Sequence, residues 1–133
     1  MRAIETVSLT KHFGAIRAVH ELDLAVDAGE VFGYLGPNGA GKTTTIRLLL
    51  DFLRPTSGRA SVLGGVPGDP AIRRRIGFLP ADLAVDPRYT ARDLLDFYGS
   101  LRGGLDRSWV DGLLQRFELD PGRRFGELST GNR

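Results

Sequence analysis

The sequence predicts an α/β fold with an antiparallel β layer at its N-terminus, a partial α/β core and a helical subdomain. Three observations support this prediction. Apolar and polar residues alternate before residue 27, an apolar segment leads through a glycine-rich loop into a helix-forming segment over 31–52, and two amphipathic segments after residue 90 show helical spacing. The 133 residues are the length of one modest domain, and 41% hydrophobic residues indicate a globular chain.

The first strands are predicted over 3–9 and 22–26, with a glycine-centred bend over 11–18 between them. A tight turn over 27–30 then leads into the apolar run VFGYL, residues 31–35. We expect this run to be a strand of a parallel sheet, because such strands are usually buried on both faces and read as continuous apolar segments.

The segment between residues 43 and 80 contains helix, strand and breaker signals in turn. A helix is predicted over 43–52, and its expected buried stripe is Ile46, Leu49, Leu50 and Leu53. Proline and glycine end this helix within 54–58. A strand over 59–63, a single helical turn over 72–75 and a buried strand over 76–79 are predicted to follow.

The last third of the chain is predicted to be helical. The order Thr90-Ala91-Arg92-Asp93 has the spacing of a capping box with aspartate at its last position, so a helix should begin there. Its expected apolar face is Leu94, Phe97, Tyr98 and Leu101. A second helix is expected over about 106–117, with Val110, Leu113, Leu114 and Phe117 on its apolar face.

The glycine-rich loop GPNGAGKT, residues 36–43, fits the phosphate-binding pattern G-x-x-x-x-G-K-[ST] at every fixed position. Glycines let the backbone N–H groups turn toward phosphate oxygens, and a helix N-terminus adds positive dipole and free donors. Lys42 would supply a cation beside the β- and γ-phosphates, and the Thr43 hydroxyl would be an oxygen ligand for Mg²⁺. A plain glycine-rich turn between strand and helix is the alternative.

Further motifs follow the loop in order. The run LSTGN at 128–132 matches the LSGGQ signature of the ABC transporter family at its leucine, its serine and its second glycine. The segments LTKHFGAIRAV, GPNGAGKTTTIRLLL and IGFLP are also typical of that family. The chain therefore resembles the nucleotide-binding domain of an ABC transporter, and within that family the ATPase subunits of bacterial drug or multidrug exporters.

The resemblance implies a P-loop NTPase fold of ABC type and one incomplete ATP-binding domain over 1–133. The β layer and P-loop core would occupy about 1–80, the helical subdomain about 81–128 and the signature 128–132. The chain would be truncated relative to the family, because the apolar strand ending in Asp-Glu and the later histidine of the family follow the signature. No apolar run ending in Asp-Glu occurs here. The neighbours of the predicted parallel strand would come largely from that later part.

The resemblance also implies ATP and Mg²⁺ as ligands. The residues that would bind ATP are Phe13, stacking on adenine, and Gly36, Pro37, Asn38, Gly39, Ala40, Gly41, Lys42, Thr43 and Thr44, cradling the phosphates. Thr43 would hold the metal. Ser129, Thr130 and Gly131 would contact the ATP held by a second copy. The expected partners are a second ATP-binding domain, paired head-to-tail, and a transmembrane permease subunit. The chain itself would be cytoplasmic and would lie at the cytoplasmic face of the membrane through this partner.

The implied function is the ATP-binding subunit of an exporter. Ala81 stands where the family usually has glutamine or glutamate, so the contact with Mg²⁺ and the relay to the membrane subunit are in doubt, and the adjacent Asp82 is a weak substitute. No catalytic residue is assigned, so whether the chain is an enzyme stays open. The alternatives are a non-hydrolysing nucleotide-binding module, an inactive gene fragment, or another P-loop enzyme. A GTPase is disfavoured because no Asn-Lys-x-Asp run occurs.

Composition narrows the remaining function classes. The formal net charge of +2 is too small to argue for nucleic acid as a partner. There are no cysteines, so disulfides and thiol chemistry are excluded. No signal-peptide pattern or apolar run of about 18 residues occurs, so membrane association is expected only through a partner.

Overall fold

The computed structural model describes residues 1–80 and 85–128. The positions Ala81 and Asp82 and the signature residues Ser129, Thr130, Gly131 and Asn132 lie outside the described residues. The chain divides into two compact units, residues 1–78 and 79–133.

The first unit is built on a three-stranded antiparallel sheet. Strands β1 (Arg2–Phe13) and β2 (Ile16–Asp27) form a hairpin, and β3 (Ser57–Val62) pairs with the other edge of β1, giving the order β2-β1-β3. The predicted antiparallel β layer is thus confirmed, and both hairpin strands are longer than expected. Gly14 has a φ of 58° at the hairpin turn, a conformation that glycine adopts without strain.

One helix packs against this sheet. Helix α1 (Lys42–Leu49) begins directly after the glycine-rich loop, and Leu48 joins Leu9 of β1 and Val19 of β2 in a small core. The helix was predicted, but its buried stripe was only partly right. Leu53 packs against the core, whereas Ile46 is 39% exposed and the buried positions of the helix are Thr45 and Leu48. A short helix, α2 (Pro70–Arg73), confirms the predicted helical turn, and the Asp69 carboxylate caps it by accepting from Ala71 N at 2.8 Å.

Two predicted strands are wrong. Residues 31–35 and 76–79 form no ladder with any strand in the described part of the chain. Backbone N–H and C=O groups define a strand only when a neighbour accepts and donates, and an apolar run without that neighbour stays irregular. As a result Val31 is fully exposed and Leu35 is 91% exposed.

The second unit contains two helices, α3 (Ala91–Ser100) and α4 (Arg107–Arg116), followed by a 3₁₀ turn (Phe125–Glu127). The predicted capping box is present: Thr90 Oγ1 accepts from Asp93 N, and the Asp93 carboxylate accepts from Thr90 N at 2.9 Å. Hydrogen bonds from the Thr90 side chain and backbone lower the pKa of Asp93. The pKa of Asp106 is lowered by hydrogen bonds from the Ser108 side chain and from the backbone N–H groups of Trp109 and Ser108, at the N-cap of α4.

The predicted apolar face of α3 is mostly exposed. Phe97, Tyr98 and Leu101 are each more than half exposed, whereas the buried positions of the helix are Ala91 and Gly99. Gly99 faces the Leu105 side chain so closely that a Cβ would overlap it. The helix therefore packs through its small residues and leaves its aromatic residues on the surface. In α4, Val110 and Leu114 are buried as expected, but Phe117 is 68% exposed.

No helix in residues 1–80 or 85–128 is long and apolar enough to cross a membrane.

Candidate nucleotide-binding site

The glycine-rich loop has the backbone shape that its sequence predicts. Gly39 and Gly41 have φ values of 85° and 81°, in the left-handed region that favours glycine. Gly41 is also the N-cap of α1, and no side chain caps the helix at this end. The N–H groups of the first turn therefore have no side-chain acceptor, and the positive end of the helix dipole faces the loop.

Lys42 folds back over the loop. Its ammonium donates to the carbonyl oxygens of Gly36 and Pro37, at 2.5 and 2.7 Å. These contacts place the cation against the inner edge of the loop, beside the uncapped helix end. Thr43 follows it with an exposed side chain in the first turn of α1, where its hydroxyl is free to meet a metal ion bound to phosphate.

Hydrogen bonds at the buried Thr45 stabilise the loop. Thr45 is 1% exposed, and its Oγ1 donates to the Gly41 carbonyl at 3.1 Å. The Tyr34 hydroxyl lies 3.3 Å from the same Oγ1, so residues on both sides of the loop meet at Thr45. Sequence reasoning missed both residues. The available signal was a lone tyrosine within an otherwise apolar run just before the loop.

The loop also touches β2. A Cβ on Gly41 would overlap the carbonyl group of Ala18 and come within 3.4 Å of Val19. Gly41 is therefore required twice, for its positive φ and for this close backbone approach. The contact ties the phosphate-binding loop to the β1–β2 hairpin.

Phe13 lies on that same hairpin, at the end of β1, where it pairs with Ile16 across the turn. Phe13 is 45% exposed. Lys11 Nζ lies 5.2 Å from the ring centroid. The structure thus places the predicted base-stacking residue on an element that is packed directly against the loop through Ala18.

The signature and the metal ligands are the remaining parts of the predicted site. The signature residues 129–131 lie outside the described residues, and the preceding Leu128 is buried at 5% exposure. No cluster of three or more histidine, cysteine, aspartate or glutamate side chains suited to a metal ion occurs within residues 1–80 and 85–128. Thr43 is the residue that was predicted to hold the metal, and its hydroxyl is an oxygen ligand of the kind that Mg²⁺ prefers.

The site and fold match known proteins of one class, the nucleotide-binding P-loop proteins. The sequence model of the ABC transporter family matches residues 19–133. The chain is 44% identical over 128 residues to the daunorubicin/doxorubicin resistance ATP-binding protein DrrA of Streptomyces peucetius, and 37% identical over 132 residues to the bacitracin transport ATP-binding protein BcrA of Bacillus licheniformis. These alignments cover 95% and 96% of the chain.

Solved structures agree with this match. A putative ABC transporter ATP-binding protein from Pyrococcus furiosus superposes with a TM-score of 0.80 at 27% identity, covering 96% of this chain and 64% of that one. An ATP-binding subunit of an ABC transporter superposes with a TM-score of 0.81 over 97% of this chain and 57% of its own length, at 24% identity, which supports the fold alone.

The chain belongs to the ABC transporter family, and the fold class predicted from the sequence, a partial P-loop NTPase of ABC type, is confirmed. The chain spans 38% of the length of DrrA and 43% of that of BcrA.

Proposed function

We propose that this chain binds MgATP, with residues 36–44 around the phosphates and Phe13 against the adenine. One observation carries the proposal. Lys42 and Thr43 stand at an uncapped helix N-terminus, directly after two glycines with positive φ. Backbone N–H groups, the helix dipole and the ammonium all favour an anion at this point.

The contacts of Lys42 would change when the nucleotide binds. Its ammonium lies on the carbonyl oxygens of Gly36 and Pro37, which are themselves uncharged acceptors. A triphosphate offers charged oxygens, so an ammonium beside it gains an attraction between opposite charges that neutral carbonyl oxygens do not provide. Lys42 would therefore turn from these carbonyls to the phosphates. Thr43 would direct its hydroxyl to the Mg²⁺ that bridges the phosphate oxygens.

The longer protein is proposed to be the ATP-binding subunit of an exporter. The named relatives are ATP-binding proteins for drug resistance, bacitracin transport and Nod factor export. By this likeness the subunit would pair head-to-tail with a second ATP-binding domain and act on a transmembrane permease from the cytoplasmic face of the membrane. In that pair Ser129, Thr130 and Gly131 would contact the ATP of the other copy. Hydrolysis of ATP is proposed for the whole subunit.

Lys42→Ala is expected to weaken MgATP binding by about 10- to 100-fold, because it removes a charge-assisted hydrogen bond to phosphate. Isothermal titration calorimetry of the purified chain measures the change directly. Arg47→Ala is the matched control, since it removes the same charge from the last turn of the same helix. An equal loss of MgATP affinity in the two variants would show a general charge effect. Unchanged affinity in Lys42→Ala would show that the loop is not the phosphate-binding site.

A further inference from the structure

Lys11 makes two contacts that the proposed function does not use. Its ammonium donates to the carbonyl oxygen of Arg54 at 2.6 Å and lies 5.2 Å from the centroid of the Phe13 ring. A cation within about 6 Å of an aromatic centroid is attracted to the face of the ring. The ammonium therefore covers one side of Phe13, and a planar base has the opposite face for stacking.

The Arg54 carbonyl lies in the segment that follows α1, and this segment is fastened to the end of β1. Thr56 N donates to Thr10 O at 2.8 Å, and His12 N donates to Thr56 Oγ1 at 3.0 Å. Lys11 adds a third link between the same two segments. The strand end that carries Phe13 is thereby held to the helix whose first residue is Lys42.

The choice of lysine supports a specific role. Only two of the eighteen basic residues are lysines, Lys11 and Lys42, and all the others are arginines. Each lysine directs a compact ammonium onto backbone carbonyl oxygens next to a predicted ligand contact. An ammonium is a compact charge with three rotatable donors on a flexible stem, so it can donate to a carbonyl oxygen while it lies over a ring.

We propose that Lys11 is a positioning residue for the base. It orients the Phe13 ring, closes one face of it, and fixes the distance between the base-stacking strand and the phosphate-binding helix. This inference rests on the proposed ATP binding. It concerns the base half of the site alone, so the binding of a bare triphosphate should not depend on Lys11.

The test compares two ligands, MgATP and Mg-tripolyphosphate, the second of which has the phosphates but no base. Lys11→Met, which keeps most of the side-chain volume but neither charge nor donor, is expected to lose MgATP affinity by about 3- to 10-fold while its tripolyphosphate affinity stays within about 2-fold of the parent. Lys11→Gln, which keeps a donor for the Arg54 carbonyl, is expected to show the same selective loss. Arg17→Met is the matched control, because it removes a positive charge from the β2 residue paired with His12.

Each outcome decides the inference. A loss confined to MgATP in Lys11→Met or Lys11→Gln, absent from Arg17→Met, supports it. An equal loss for both ligands would show that Lys11 only maintains the fold, and no loss would show that the ring does not need it; either result overturns the inference while ATP binding stands. If the parent chain binds neither ligand, the proposed function fails and the inference fails with it.

Discussion

Gly41→Ala is expected to destabilise the first unit by about 2–5 kcal/mol and to abolish measurable nucleotide binding. A residue with a Cβ at a φ of 81° costs about 1–2 kcal/mol. The added Cβ would also overlap the Ala18 carbonyl, and an overlap of this kind in a packed region costs about 1–3 kcal/mol more. Relief of the clash would move the loop away from β2 and misplace the α1 N-terminus.

Gly39→Ala is the matched control for this prediction. Gly39 has nearly the same φ, 85°, but open space around its Cα, so only the backbone strain of about 1–2 kcal/mol should appear. Urea titration monitored by circular dichroism measures both variants, and hydrogen exchange of the β1 and β2 amides assigns the loss to the first unit. Equal destabilisation by the two substitutions would show that the contact between the loop and β2 is not formed.

Leu9→Ala is expected to destabilise the first unit by about 3–5 kcal/mol, the largest effect of any single truncation in this sheet. Leu9 has no exposed surface and touches both β2 and α1 through Val19 and Leu48. The core is small, so few neighbours can move in to fill the space that the leucine leaves. A typical domain has about 5–15 kcal/mol of stability in total, which makes this a large fraction.

Val66→Ala is the control, because this valine is 70% exposed in the same unit and should change stability by less than about 0.5 kcal/mol. Hydrogen exchange of the sheet amides in the two variants is the measurement. If Leu9→Ala left the β1 amides as protected as in the parent chain, Leu9 would not be part of a core with Val19 and Leu48.

The sequence predicted the elements that are stabilised by residues close to one another in the chain. The β1–β2 hairpin follows from alternation and a glycine turn, and α3 follows from its capping box, because the groups that form these elements lie within a few residues of one another. The glycine-rich loop could also be recognised from the sequence, because its pattern is local, and its glycines tolerate the positive φ values that Gly39 and Gly41 adopt. These features needed no knowledge of distant partners.

The errors concern elements that depend on distant partners. Residues 31–35 are apolar enough for a buried strand, but strand formation requires a hydrogen-bonded neighbour, and none lies among the described residues. The α1 stripe was misassigned because Thr45 is satisfied by Tyr34 and by the Gly41 carbonyl, which makes a polar residue the most buried position of the helix. Helical spacing alone does not reveal such a partner.

The supporting contacts of the site were also beyond sequence reasoning. Lys11 and Arg54 are 43 residues apart, and Gly41 meets Ala18 through the backbone, without a side-chain signal. Lys42 and Thr43 could be proposed from the phosphate-loop pattern, which depends on residue type and short spacing, and Phe13 from the family resemblance. The residues that hold them in place could be found only when the fold brought them together.

Amide chemical shifts measured by NMR test the central claim most directly. Addition of MgATP to the labelled chain is expected to shift the backbone amides of residue 36 and residues 38–44 together with that of Phe13. Mg-tripolyphosphate is expected to shift the loop amides and to leave Phe13 nearly unchanged, because it carries no base. Saturable shifts elsewhere in the chain, with the amides of residues 36–44 unmoved, would contradict the assignment of this loop as the phosphate site.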